Sequence, residues 1–148
     1  MRIEIVDTVY IIAYLRPSDP LHHVAKKVIE SLGNQRKVSQ AALIELDLLM
    51  KSRGLTTVER LKTWTLLGAI IPAEGIEVLT PDDFAMATVL IENHMLDYFD
   101  SLVAAQCIIR GARPLTTDED ILDVISKTTR EELLERIRRY SGGPSKSR

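Results

Sequence analysis

Residues 2–15 read RIEIVDTVYIIAYL, and this stretch decides the fold. A short apolar run, Ile3, Ile5 and Val6, stops at Asp7, and a second extends from Val9 to Leu15. A β-branched run of this length ending at an acid reads as a buried strand that delivers a carboxylate to its C-terminal end. The second run reads as a helix starting at the turn, with Asp7 or Thr8 as its N-cap. In open α/β sheets, ligands bind just outside the carboxyl ends of the strands. Asp7 is therefore a candidate site residue, and a purely capping role is its other reading.

Working outward, short strands alternate with helices. Apolar residues at helical spacing cover Leu21 to Leu32, and Gly33-Asn34 is expected to end that helix through a positive φ. A strand of two or three residues is expected around Val38. An apolar helix follows from Ala41 to Arg53, opened by Ser39 or Gln40 and closed by Gly54. Thr56 or Thr57 starts the next helix, whose inner side reads as Leu61, Trp64, Thr65, Leu67 and Gly68. Ile76 to Leu79 reads as a strand, and Thr80-Pro81 as a strong helix start, with proline at the first helical position. Asp97 to Arg110 is a further helix, closed by Gly111. Pro114 to Thr117 is a short strand ending at Asp118, with a short helix over Ile121 to Ile125. The last helix spans about 129–140, with Thr129 and Glu132 as a capping pair. The pattern predicts one α/β domain over residues 1–140, three layers α/β/α around a short parallel sheet, then a flexible basic tail at 141–148.

A chain of 148 residues, 45% hydrophobic and 27% charged, has the size and composition of one globular domain. It has no apolar run long enough to span a bilayer and no secretory-signal pattern at its start, so the cytoplasm is the expected location. The single cysteine, Cys107, excludes an internal disulfide and a cysteine-rich zinc site, and on an apolar helix it reads as a small core residue. A net charge of -2 does not advertise nucleic-acid binding. Basic residues nonetheless gather in two places: Lys26, Lys27, Arg36 and Lys37 near His22 and His23, and the segment from Lys127 to Arg148.

Three further carboxylates stand out. Glu45 lies within AALIELDLLM, where its neighbours three and four residues away are Ala41, Ala42, Leu48 and Leu49. An unpaired buried carboxylate there costs on the order of several kcal/mol, so it needs a cation, a partner or a water-filled pocket. Asp47, by contrast, has Lys51 four residues on and reads as a surface pair. Asp100 opens a helix that is apolar almost all round, where the helix dipole favours its charged form, and Asp97 reads as the N-cap. Asp118 ends a strand as Asp7 does, which places both on one edge of the sheet. Asp120 either supports that edge or caps the following helix. Strand-end acids clustered with helix acids make a hard oxygen site suited to Mg²⁺ or Mn²⁺, able to activate water at a phosphoryl group.

Asp7-Thr8 after the first strand, Glu45 in an apolar helix, Asp100 opening a helix, and Thr116-x-Asp118 after a late strand occur in the order of a known family. Over residues 1–125 the chain resembles PIN-domain ribonucleases, most closely the compact toxins of type II toxin–antitoxin modules. The resemblance implies a PIN-like fold and a Mg²⁺- or Mn²⁺-dependent endoribonuclease acting on RNA. It also implies a homodimer held inactive by a small antitoxin protein. By the same resemblance Asp7, Glu45, Asp100 and Asp118 form the acidic quartet, and Thr116 is the hydroxyl near the last acid. The family commonly has a fifth strand after that acid, where this chain reads as helix from Lys127 to Tyr140. A PIN-like RNA-processing, RNA-binding or assembly protein without a toxin role is the alternative. An aspartyl-phosphate phosphatase fits poorly, because Val9 stands two residues after Asp7, where such an enzyme has its second acid.

Overall fold

The computed structural model describes residues 2–141. Four short parallel strands, β1 (Glu4–Val6), β2 (Arg36–Ser39), β3 (Ile76–Glu77) and β4 (Arg113–Leu115), form one sheet in the order β3-β2-β1-β4. Central β1 pairs on both sides, Ile5 lying opposite Lys37 of β2 and Pro114 of β4. Proline, which lacks a ladder donor, is tolerated in β4 because that strand is at the edge.

Parallel neighbours require crossovers, and eight helices supply them among the described residues: α1 (Thr8–Leu15), α2 (His22–Glu30), α3 (Gln40–Ser52), α4 (Thr57–Ile70), α5 (Pro81–His94), α6 (Tyr98–Arg110), α7 (Glu119–Lys127) and α8 (Arg130–Ser141). Successive strand side chains point to opposite faces, so Ile5 and Val6 enter two different cores. Ile5 packs with Met86, Leu90, Leu102, Ile121 and Leu133 from α5 to α8. Val6 packs with Ile11, Ile29, Val38, Leu46 and Leu67 from the first half of the chain. The result is the expected three-layer α/β/α arrangement.

Several local expectations are corrected. Gly33 does not adopt a positive φ, for α2 stops at Glu30 with Ser31 as its C-cap, and the Gly33 N–H turns back to the Arg36 carbonyl at 2.8 Å. Gly54 and Gly111 do take the left-handed conformation, at φ 78° and 62°, closing α3 and α6. β3 is two residues rather than four, because the Leu79 N–H is captured by the Gln40 side chain at 2.8 Å. β4 ends at Leu115, since Thr116 turns its hydroxyl toward Asp7.

The inner side expected for α4 is covered only at Leu67 and, in part, Trp64. Only Leu67 is buried on this helix, Leu61 is 64% exposed, and Thr65 and Gly68 face solvent. Apolar spacing shows that a face exists, whereas coverage depends on where the helix docks. What ties α4 to α3 is Asp47, which accepts from Trp64 Nε1 at 3.0 Å and Arg60 Nη2 at 3.1 Å. Those hydrogen bonds, Trp64's first, hold the Asp47 carboxyl below the usual range, and they replace the expected pairing with Lys51. In place of the fifth strand that the resemblance implies, α8 lays Leu133, Leu134 and Ile137 on the first core. Ser141, expected to begin the tail, is instead the last residue of α8, and residues 142–148 of that tail lie outside the described residues. No described helix is long and apolar enough to cross a membrane.

Candidate active site

The carboxyl ends of β1 and β4 meet because Asp7 continues their ladder, its N–H donating to the Leu115 carbonyl at 3.0 Å. Asp7 is 6% exposed and is the N-cap of α1, which is the capping reading of this residue. One of its oxygens accepts from the Thr8 N–H at 2.7 Å, the other from the Thr116 hydroxyl at 2.8 Å. Thr116 is buried, and its oxygen in turn accepts from the Asp118 N–H at 3.0 Å. The Thr8 hydroxyl donates to Glu45 Oε1 at 2.5 Å. Two threonines thus link three carboxylate-bearing residues across β1, α3 and the loop after β4.

The fourth acid comes from α6. Asp97 caps this helix by accepting from the Asp100 N–H at 2.8 Å, and no described donor bonds the Asp100 carboxylate. Asp118 caps α7, accepting from the N–H groups of Asp120 and Ile121, while the Asp120 side chain is exposed and supplies only its backbone to this turn.

Electrostatics tie the acids into one group. Burial, followed by the charges of Asp97, Asp118, Asp7 and Glu45, pushes Asp100 up from 3.8 to about 8. Asp7 is raised, mainly by burial and less by Asp118 and Asp97, with the Thr116 and Thr8 hydrogen bonds opposing. Glu45 is raised by burial and by Asp7, Asp97 and Asp118, against the Thr8 hydrogen bond. No described lysine or arginine forms a salt bridge with any of the five acids. The structural salt bridge that would have explained Glu45 is absent among the described residues. The basic group around β2 is largely engaged elsewhere: Lys26 with Glu30, Arg36 with Glu4, and Lys37 with Glu77.

A sequence model of the PIN domain matches residues 5–128. The chain belongs to the PIN-domain family. That match takes in every acid of the site and all four PIN strands bar the first residue of β1. No curated protein matches the sequence. Among solved structures, the PIN chain superposes on VapC20 of Mycobacterium tuberculosis, described as a sarcin-ricin loop cleaving toxin, with a TM-score of 0.63 and 20% identity, over 82% of this chain and 94% of that one. It is similar also to FitAcB from Neisseria gonorrhoeae, with a TM-score of 0.63 and 17% identity over 84% and 94% of the two chains. VapBC2 from Rickettsia felis, bound to promoter DNA, gives 0.62 and 13% over 86% and 96%. Identities this low speak for the fold.

Sequence reasoning gave Ser39 only as a helix opener and did not single out Gln106. Ser39 and Gln106, both fully buried, hydrogen-bond between α3 and α6. The signal was a glutamine inside the apolar run Ala104-Ala105-Gln106-Cys107-Ile108. Cys107 is buried core as expected, and burial pushes its thiol up to about 12.

Proposed function

We propose that this PIN-domain protein is a divalent-metal-dependent endoribonuclease of the toxin type. The observation that carries the reading is electrostatic. Asp7, Glu45, Asp100 and Asp118 face one another closely enough to raise carboxyl pKa values, and no described basic side chain pairs with them. A cation relieves the repulsion in such a cluster. The donor set fits a hard ion such as Mg²⁺ or Mn²⁺: every candidate ligand is a carboxylate oxygen, and both Asp100 oxygens and one each from Glu45 and Asp118 lack a described protein donor. Among the described residues no three acid, histidine or cysteine side chains are already gathered into a ligand cage.

When bound, the metal supplies Lewis acidity and a water activated near neutral pH. The chain's own residues set the stage. Thr116 and Thr8 fix the rotamers of Asp7 and Glu45 through hydroxyl hydrogen bonds, while Asp97 caps α6 and keeps the Asp100 backbone in place. Asp100, titrating near neutrality, holds a proton in the metal-free site and gives it up to a cation. The uncompensated negative field repels phosphate, which makes cleavage conditional on the metal.

RNA is the proposed substrate, supported by the PIN family and by a structural neighbour described as a sarcin-ricin loop cleaving toxin. A protein antitoxin is the proposed partner, since another neighbour is a toxin–antitoxin complex from Klebsiella pneumoniae, and a homodimer is the proposed assembly. The test is incubation of the purified protein with labelled mixed cellular RNA and Mg²⁺, Mn²⁺ or EDTA. Discrete fragments are expected with either metal and none with EDTA. Intact RNA at every enzyme and metal concentration overturns the nuclease reading.

A further inference from the structure

Gln106 lies six residues beyond Asp100 on α6 and is fully buried. Its Oε1 accepts from the Ser39 hydroxyl at 2.6 Å, and its Nε2 donates to the carbonyls of Glu77 at 3.1 Å and Val78 at 3.4 Å. Ser39 is the last residue of β2 and the N-cap of α3, its oxygen also accepting from the Ala41 N–H at 3.1 Å. One hydrogen bond therefore joins the start of the helix that carries Glu45 to the helix that carries Asp100.

Packing alone does not call for an amide here: an apolar side chain of similar size would fill the space but leave the Ser39 hydroxyl and the carbonyls of Glu77 and Val78 without this partner. The position of the amide does give it a role. α3, which carries Glu45, and α6, which carries Asp100, pack directly against each other. The Ser39–Gln106 bond crosses the same seam, and the two Nε2 bonds anchor Gln106 to the chain leaving β3.

We propose that Gln106 is a positioning residue for the acidic site: bonded to Ser39, it holds α3 against α6 so that Glu45 and Asp100 keep the spacing a divalent cation requires. The metal part of this statement rests on the proposed function, whereas the helix tie does not. Loss of the tie acts on the site through Glu45 and Asp100, as the loss of an outer hydrogen bond does at other metal centres.

Gln106→Leu, Ser39→Ala and the double variant test it in the full chain, with two readouts. The first is calorimetric titration with Mn²⁺ alone. Each single variant is expected to lose about tenfold in affinity, and the double variant no more than the worse single, because one shared bond is removed. The second is the distance between spin labels at Leu48→Cys on α3 and Tyr98→Cys on α6 in metal-free protein, where the variants are expected to show a longer or broader distribution. Both label sites are exposed, and Cys107 is buried and stays unlabelled. Leu133→Ala, a core change on α8, is the control: it lowers Tm while affinity and distance stay at wild-type values. Gln106→Leu behaving like this control overturns the proposal. Should Gln106→Leu fail to fold, Ser39→Ala, which deletes one hydroxyl, decides by the same two readouts. A wild-type protein that binds no Mn²⁺ refutes the metal site instead, and the label distance then decides the tie by itself.

Discussion

Asp100→Asn is expected to lower RNA cleavage by about a thousandfold, equivalent to about 4 kcal/mol of lost transition-state stabilisation, while the protein stays folded. The carboxylate is the acid with no described protein donor and the one most strongly shifted, so its interactions in the apo protein are almost wholly unfavourable. Its loss should therefore stabilise the apo protein at alkaline pH. The sign follows from the shift. Asp100 titrates at about 8 in the folded state against an ordinary 3.8, so folding binds a proton more tightly than the unfolded chain does between those values. Its favourable contribution is complete below the lower value and is lost as pH rises through the higher one. In EDTA, wild-type Tm should fall between pH 5 and pH 8 by more than that of Asp100→Asn, and Mn²⁺ should restore the wild type selectively. A variant that cleaves RNA at the wild-type rate removes Asp100 from the site.

The second large effect concerns stability alone. Arg110→Met is expected to destabilise the fold by about 3–5 kcal/mol, because it strands a buried acid. Asp83 has no exposed surface and receives Arg110 as a fork, Nη1 to Oδ1 at 2.7 Å and Nη2 to Oδ2 at 2.9 Å. The same guanidinium bonds Glu77 through Nε, and Lys37 pairs with that glutamate from β2. A neutral, flexible methionine fills the volume and supplies none of these donors. Thermal unfolding should show a fall in Tm of roughly 10 °C or more. A fall of one or two degrees would mean that Asp83 is hydrated or protonated once Arg110 is gone.

Where a signal was local, the sequence carried it. A β-branched run stopping at Asp7, the serine before an apolar helix and the aspartate three residues before Asp100 are each read from neighbours in the chain, and each took its expected place, whereas Thr116 came only from the resemblance. Thr8 is a partial case, since its place at the start of α1 was legible, though Asp7 and not Thr8 is the cap, but its hydroxyl bond to Glu45, 37 residues away, was not. What escaped depended on docking between distant elements. Asp47 chose Trp64 and Arg60 over the Lys51 one turn away, because α4 folds back across α3. Apolar spacing in α4 implied an inner face of which only Leu67 and part of Trp64 are covered. Ser39 and Gln106 are 67 residues apart, and only the meeting of α3 with α6 makes them partners. The acids were legible as residues of unusual context, whereas their mutual repulsion is a property of the fold.

The most direct test of the central claim is an anomalous difference map from crystals of the wild-type protein grown in saturating Mn²⁺. A peak is expected at the carboxyl ends of β1 and β4, about 2.0–2.2 Å from oxygens of Asp100 and Asp118 and within reach of Asp7 and Glu45. A map with no peak among these acids, at a concentration where Mn²⁺ decorates other parts of the surface, would contradict that claim.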